Sequence, residues 1–218
     1  MEFKKIGHKA KSGAPSAKTI LAGAVLAASL MMAKPAKADS VEFMAGDKSA
    51  TVDLKASADV TNKLNVFIRA RPSADYSGAV SSFGLADLNI KLAGGLDAVG
   101  EVQAFGGKVI PRAGAQFFGK TGDISLFTAA TIGLDSQPYI ESDTVVRFTP
   151  GFFRTVRLLT QFENLTDCDK GGNIFSAQRL RLGLELNGWG AGAALDLSET
   201  GHKADIVWNT GGFISKRF

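Results

Sequence analysis

The chain has 218 residues, with 25 Lys and Arg, 21 Asp and Glu, and one cysteine, Cys168, which excludes an internal disulfide framework. The basic excess belongs to the first 38 residues, which hold seven of the 25 basic residues and one of the 21 acidic ones. That leaves 18 basic against 20 acidic over 39–218 and excludes a nucleic-acid reading drawn from charge. Beyond residue 32 no apolar run approaches the ~20 residues of a membrane-spanning helix, which excludes a helical inner-membrane protein.

Taken in chain order, residues 1–38 read as an export signal. Lys4, Lys5, Lys9, Lys11 and Lys18 form a basic leader, and 19–32 is an apolar run of 14 residues, too short to span a bilayer comfortably. Ala36-Lys37-Ala38 supplies a small-x-small cleavage site, with the cut placed before Asp39. The expectation is a signal peptide over 1–38 and one domain over 39–218.

After the leader, period-two alternation dominates, which predicts strands with two unlike faces. Val52, Leu54, Ala56 and Ala58 alternate with Asp53, Lys55, Ser57 and Asp59, and Leu180, Leu182, Leu184 and Leu186 alternate with Arg179, Arg181, Gly183 and Glu185. The predicted strands are 40–45, 50–60, 64–71, 80–92, 97–105, 111–119, 123–134, 138–149, 153–163, 174–186, 189–198 and 204–218. Asn187-Gly188 is a strong hairpin signal. That makes twelve strands, with ten as the alternative. Many have the nine to eleven residues of a strand that crosses a bilayer at a tilt. A spanning sheet must also close, since an open edge leaves backbone groups unpaired in lipid. The fold class expected is therefore all-β, a closed antiparallel transmembrane barrel. Two connections, 72–79 and 164–173, are expected to be long and to lie at the outer end. Phe152, Phe153, Trp189 and Phe218 would form one aromatic girdle, and Tyr76, Phe105 and Tyr139 the other.

The last strand alternates Ala204, Ile206, Trp208, Thr210, Gly212, Ile214, Lys216 and Phe218 against a more polar set. Ending in this way, the chain resembles bacterial outer-membrane β-barrels, in which Phe218 would act as an assembly signal read by the barrel-assembly machinery. Lys216 departs from that pattern, standing where an apolar residue is commoner. Length and strand number look similar to small twelve-stranded outer-membrane channels, including those for acidic oligosaccharides. The resemblance implies an outer-membrane location, lipid as a partner, and passive passage of small solutes.

The polar face carries the chemistry. Arg147, Arg157, Arg179 and Arg181 fall on it in three consecutive predicted strands, and Arg69, Arg71, Glu101, Glu141 and Glu163 join them as expected pore-lining residues. Hairpin arithmetic puts Arg147 beside Arg157, and Arg157 beside Arg179 or Arg181. A positive strip would favour anions; equally, Glu163, Glu141, Glu185 and Asp196 could neutralise it as a structural network. The alternatives to a channel are a structural or adhesion-type barrel with a plugged lumen and a soluble secreted β-barrel binding protein. No enzyme is expected, because His202 is the one histidine after the leader and nothing specifies a nucleophile for it. No cofactor or metal is expected; the 167–173 stretch lacks the full ligand set of a calcium loop.

Overall fold

The computed structural model describes residues 40–135, 139–201 and 205–218. The expected signal peptide and His202 lie outside them. The described residues form β1 (Ser40–Gly46), β2 (Ser49–Asp59), β3 (Leu64–Asp75), β4 (Val80–Ala93), β5 (Leu96–Phe105), β6 (Lys108–Thr121) and β7 (Ile124–Gly133). There follow β8 (Ile140–Phe148), β9 (Gly151–Phe153), β10 (Val156–Asp169), β11 (Gly172–Leu186), β12 (Trp189–Thr200) and β13 (Asp205–Arg217). No helix occurs among the described residues.

Each long strand pairs antiparallel with the next, and β13 returns to β1 with Ser40 opposite Arg217, so the sheet closes. The three-residue β9 continues β8 after Thr149-Pro150 and pairs with the start of the same neighbour, β10. Proline has no N–H to give the ladder, which fits the break there. The result is a closed antiparallel barrel of twelve strands, with the alternative of ten set aside.

Two-residue turns join several hairpins. Asn187 and Gly188 both take positive φ, 50° and 78°, the geometry that matches the twist of the flanking strands. The two long connections expected from sequence are mostly strand instead. β3 runs on to Asp75, whose carboxylate accepts from the amides of Ser77 and Ala79 at 3.0 and 2.8 Å. β10 and β11 extend until only Lys170-Gly171 separates them, with a bulge at Asp167/Cys168.

Burial is inverted relative to a water-soluble protein. Leu88, Ile90, Ile132, Leu158, Leu182, Leu184, Trp208 and Ile214 are exposed on the outer face, Leu182 at 47%. The buried set is largely charged: Asp53, Arg69, Asp87, Glu101, Arg112, Glu141, Glu163, Arg181 and Glu185. Exposed apolar area costs about 25 cal/mol per Å² in water, and a monomer rarely leaves a continuous apolar patch so large uncovered. That weighs against the soluble alternative, which would bury its apolar face. A small apolar cluster, Met44, Leu159, Ala194 and Phe213, does sit inside the barrel. Beside it the wall is lined by glycines: a Cβ on Gly183 would collide with the Ala191 carbonyl, and one on Gly192 with that of Leu182.

Candidate functional site: the charged interior

Alternation along each strand sends one residue in two inward, and closure brings inward residues of distant strands together. β3 and β10 stand six strands apart whichever way the barrel is traversed. Arg69 on β3 nonetheless meets Glu163 on β10, its Nη1 lying 2.8 Å from Oε1. The same guanidinium donates to both carboxylate oxygens of Asp53, at 2.9 and 2.5 Å. Arg179 donates to the same Glu163 oxygen, and Lys55 lies 3.9 Å from the other. Arg69 is 4% exposed and Glu163 2%, so this bridge crosses the interior away from bulk water.

Further pairs extend the lattice. Arg181 donates to Glu42 at 2.8 Å and to Asp196 at 2.7 Å, and Arg71 donates to the second oxygen of Asp196 at 2.6 Å. Towards the end where both strand termini lie, Glu185 accepts from Arg147 and, at 2.5 Å, from Arg217. A cavity of about 50 Å³ opens there, lined among others by Glu42, Lys55, Arg147, Arg179, Arg181 and Arg217.

Nearer the opposite end, Arg112 occupies a different setting. Its Nε donates to the Thr131 hydroxyl at 2.8 Å, and its guanidinium lies over the Tyr139 ring at 4.6 Å. Glu101, Glu141 and Asp167 stand 3.4, 3.6 and 3.6 Å from its nitrogens. At those separations Nη1 and Nη2 have no hydrogen-bond partner among the described residues, nor do Glu101 Oε1, Asp167 Oδ1 or Asp87 Oδ1. Gln103 donates to Glu141 at 2.8 Å. No group of acidic, histidine or cysteine side chains among the described residues has the geometry to hold a metal ion.

The sequence-selected residues are therefore brought together unevenly. Arg69, Arg71, Arg147, Arg179, Arg181, Glu101, Glu141 and Glu163 all lie in these networks. Arg157 does not: it sits at the rim, donating to Asp123 at 2.5 Å and to the Thr149 carbonyl at 2.7 Å. The strip of adjacent arginines is also absent. Arg147 faces Gln161, Arg157 faces Glu185, Gln161 faces Arg181 and Glu163 faces Arg179. The connection that includes β9 is longer than a tight hairpin, and this displaces the register, so like charges no longer meet across strands. Tyr139, expected in a girdle, covers Arg112 instead. Asp167 lies in β10, beside Arg112, rather than in the long connection expected over 164–173. Sequence reading passed over Arg112, Glu42 and Arg217, although Arg112 shares its face with Gly114 and Gln116 and could have been placed by alternation.

A closed antiparallel barrel, apolar outside and charged within, is a β-barrel of the outer-membrane type. The chain matches no protein-family model and no curated protein. Solved structures of similar fold are outer-membrane barrels. One is a KdgM porin in complex with disordered oligogalacturonate, at 8% identity over 83% of this chain and 98% of that one, with a TM-score of 0.49. Another is LpxR from Salmonella typhimurium, at 9% identity over 83% and 100% of the two chains, TM-score 0.42. A third is a loop L8 deletion mutant of OmpT, an outer membrane protein of Vibrio cholerae, at 11% identity over 83% and 96%, TM-score 0.35. At such identities the likeness is one of fold alone. The reading that the chain is no enzyme does not stand. The histidine on which that reading turned is outside the described residues.

Proposed function

We propose that this chain is a small outer-membrane channel for the passive passage of small solutes, with a preference for anions. The observation that carries the reading is the composition of the cavity near the termini. Lys55, Arg147, Arg179, Arg181 and Arg217 line it against Glu42, Asp53 and Glu163, so cations are in excess where a solute would enter. Rings of fixed positive charge favour anions in a pore. The Arg69 bridge to Asp53 and Glu163 is the constriction on this reading. Residues 1–38 serve export and are removed, and Phe218, 75% exposed, serves assembly.

The second reading is a plugged structural barrel. It is favoured by the smallness of the cavity, which holds little more than a water or two, and by the Met44, Leu159 and Phe213 side chains that meet inside the wall.

Planar-bilayer conductance separates the two. A channel should pass current and show a reversal potential on the anion side in dilute salt. That preference should fade in concentrated salt, since fixed charges are screened over roughly 8 Å at physiological ionic strength. Arg179→Ala and Arg147→Ala should each move the reversal potential towards neutrality. Absence of any conductance would leave the plugged barrel. Failure to give a detergent-dependent, heat-modifiable band would remove the membrane reading altogether.

A further inference from the structure

The rim at which β1 begins and β13 ends carries a feature that a channel does not require. Phe152 and Phe153 project from β9, 63% and 62% exposed. Arg154 follows with a left-handed backbone, φ 48°, and its guanidinium lies over the Phe153 ring at 5.3 Å. Further round the same rim, past the end of β11, Lys216 Nζ lies 5.1 Å over the Trp189 ring and donates to the Asn187 carbonyl at 3.0 Å. Neither cation has a carboxylate partner among the described residues. On the same rim Lys91, Arg157 and Arg217 do have one, while Lys63 and Lys120 have neither a carboxylate nor an aromatic ring among the described residues.

Arg154 and Lys216 are thus set apart: each is held by an aromatic ring at the point where the apolar outer face ends. Amphipathic rings settle at the boundary between hydrocarbon and headgroups, and basic side chains there reach out to anionic surface. A cation on the face of a ring keeps its full charge and open donors for an oxyanion. The opposite rim has the reverse balance, with Asp47, Asp75, Asp135, Asp169, Glu199 and Asp205 against Lys48, Lys108 and Lys170.

We propose that Arg154 and Lys216 form a docking site for the phosphate-bearing headgroups of anionic phospholipids in the leaflet at the terminal rim. The inference rests on the reading of the apolar outer face as lipid-facing. At each of the two positions the aromatic ring sets the depth of a lipid and the cation takes its phosphate.

The test is to refold the full chain into nanodiscs of phosphatidylcholine containing a minority of phosphatidylglycerol, and to measure the lipid that stays bound after transfer to detergent by native mass spectrometry. Phosphatidylglycerol should be enriched by about fivefold for each engaged cation. The Arg154→Gln/Lys216→Gln double variant should lose the enrichment, and Arg154→Lys/Lys216→Arg should keep it. Lys108→Gln/Lys170→Gln, at the other rim, should leave it intact. Insertion with no enrichment, or enrichment that survives the double neutral variant, overturns the proposal while leaving the membrane reading standing. No insertion into any bilayer overturns both.

Discussion

The two charged regions of the interior use the same residue types and differ in how those residues meet. On the side of β1–β3 and β10–β13, Arg69, Arg71 and Arg181 reach carboxylate oxygens at 2.5–2.9 Å. Around Arg112, three carboxylates stand at 3.4–3.6 Å without a hydrogen bond to its guanidinium. The balance of charge differs too. In the first region Lys55, Arg69, Arg71, Arg147, Arg179, Arg181 and Arg217 face Glu42, Asp53, Asp143, Glu163, Glu185 and Asp196. In the second, Arg112 alone faces Glu101, Glu141 and Asp167, and Asp87 stands opposite Glu101 on the next strand. Buried ions stabilise only when the geometry is good and the remaining donors and acceptors are satisfied. In the first region Arg147 Nε and Asp143 Oδ1 lack a hydrogen-bond partner among the described residues, but the central Arg69 is fully engaged. That region therefore holds the wall in shape, and the second costs stability to keep.

The largest effect should come from breaking the matched region at its centre. Arg69→Ala leaves Asp53 and Glu163 buried without their main cation, and it should cost about 3–5 kcal/mol in urea unfolding of the detergent-folded barrel. A loss under about 1 kcal/mol would mean the lattice is solvated and the contrast false. Glu163→Gln keeps the shape and removes the charge shared by Arg69, Arg179 and Lys55. Here the expected loss is about 1.5–3 kcal/mol, the range for a hydrogen bond to a charged group. In the other region the sign should change. Glu101→Gln removes one of three carboxylates crowded round a single guanidinium, and the unfolding free energy should hold or rise, by at most about 1 kcal/mol. A penalty matching that of Glu163→Gln would erase the distinction between the two regions.

The smallest effect lies outside both, in the turn between β1 and β2. The Thr210 amide donates to Asp47 at 2.8 Å and holds that carboxyl below the usual carboxylate range. A lowered value in the folded chain means that the contact contributes fully above the unfolded carboxylate pKa and is lost as pH falls through the folded one. Amide exchange at Thr210, normalised for its intrinsic pH dependence, should lose protection in acid. Asp47→Asn should make that protection indifferent to pH; acid sensitivity surviving the substitution would assign the effect to another group.

Much of the architecture was legible in the sequence, for a physical reason. A side-chain period of two, once one face meets lipid, fixes the facing of every strand, and Asn187-Gly188 announces its own turn. What could not be read is what closure decides. Arg69 and Glu163 are 94 positions apart and on opposite strands, and no local pattern couples them. The pairing of Arg147 with Gln161 depends on how many residues the 149–155 connection consumes, and a proline there conceals a strand continuation as a turn. Tyr139 looked like a girdle residue because its strand position allowed it. Its contact with Arg112 appears only when β6 and the start of β8 lie in one wall.

β1 has seven residues, which at about 3.3 Å each reach no more than roughly 23 Å even when upright, and less when tilted. β13 runs on beyond it, and Asn209 fills the step by accepting from the amides of Lys48 and Ser49 at 3.0 and 3.3 Å. The β1 ladder on β13 therefore stops at Gly46 opposite Gly211, and beyond it a single side-chain amide, holding two backbone N–H groups of the β1–β2 turn, takes the place of further rungs.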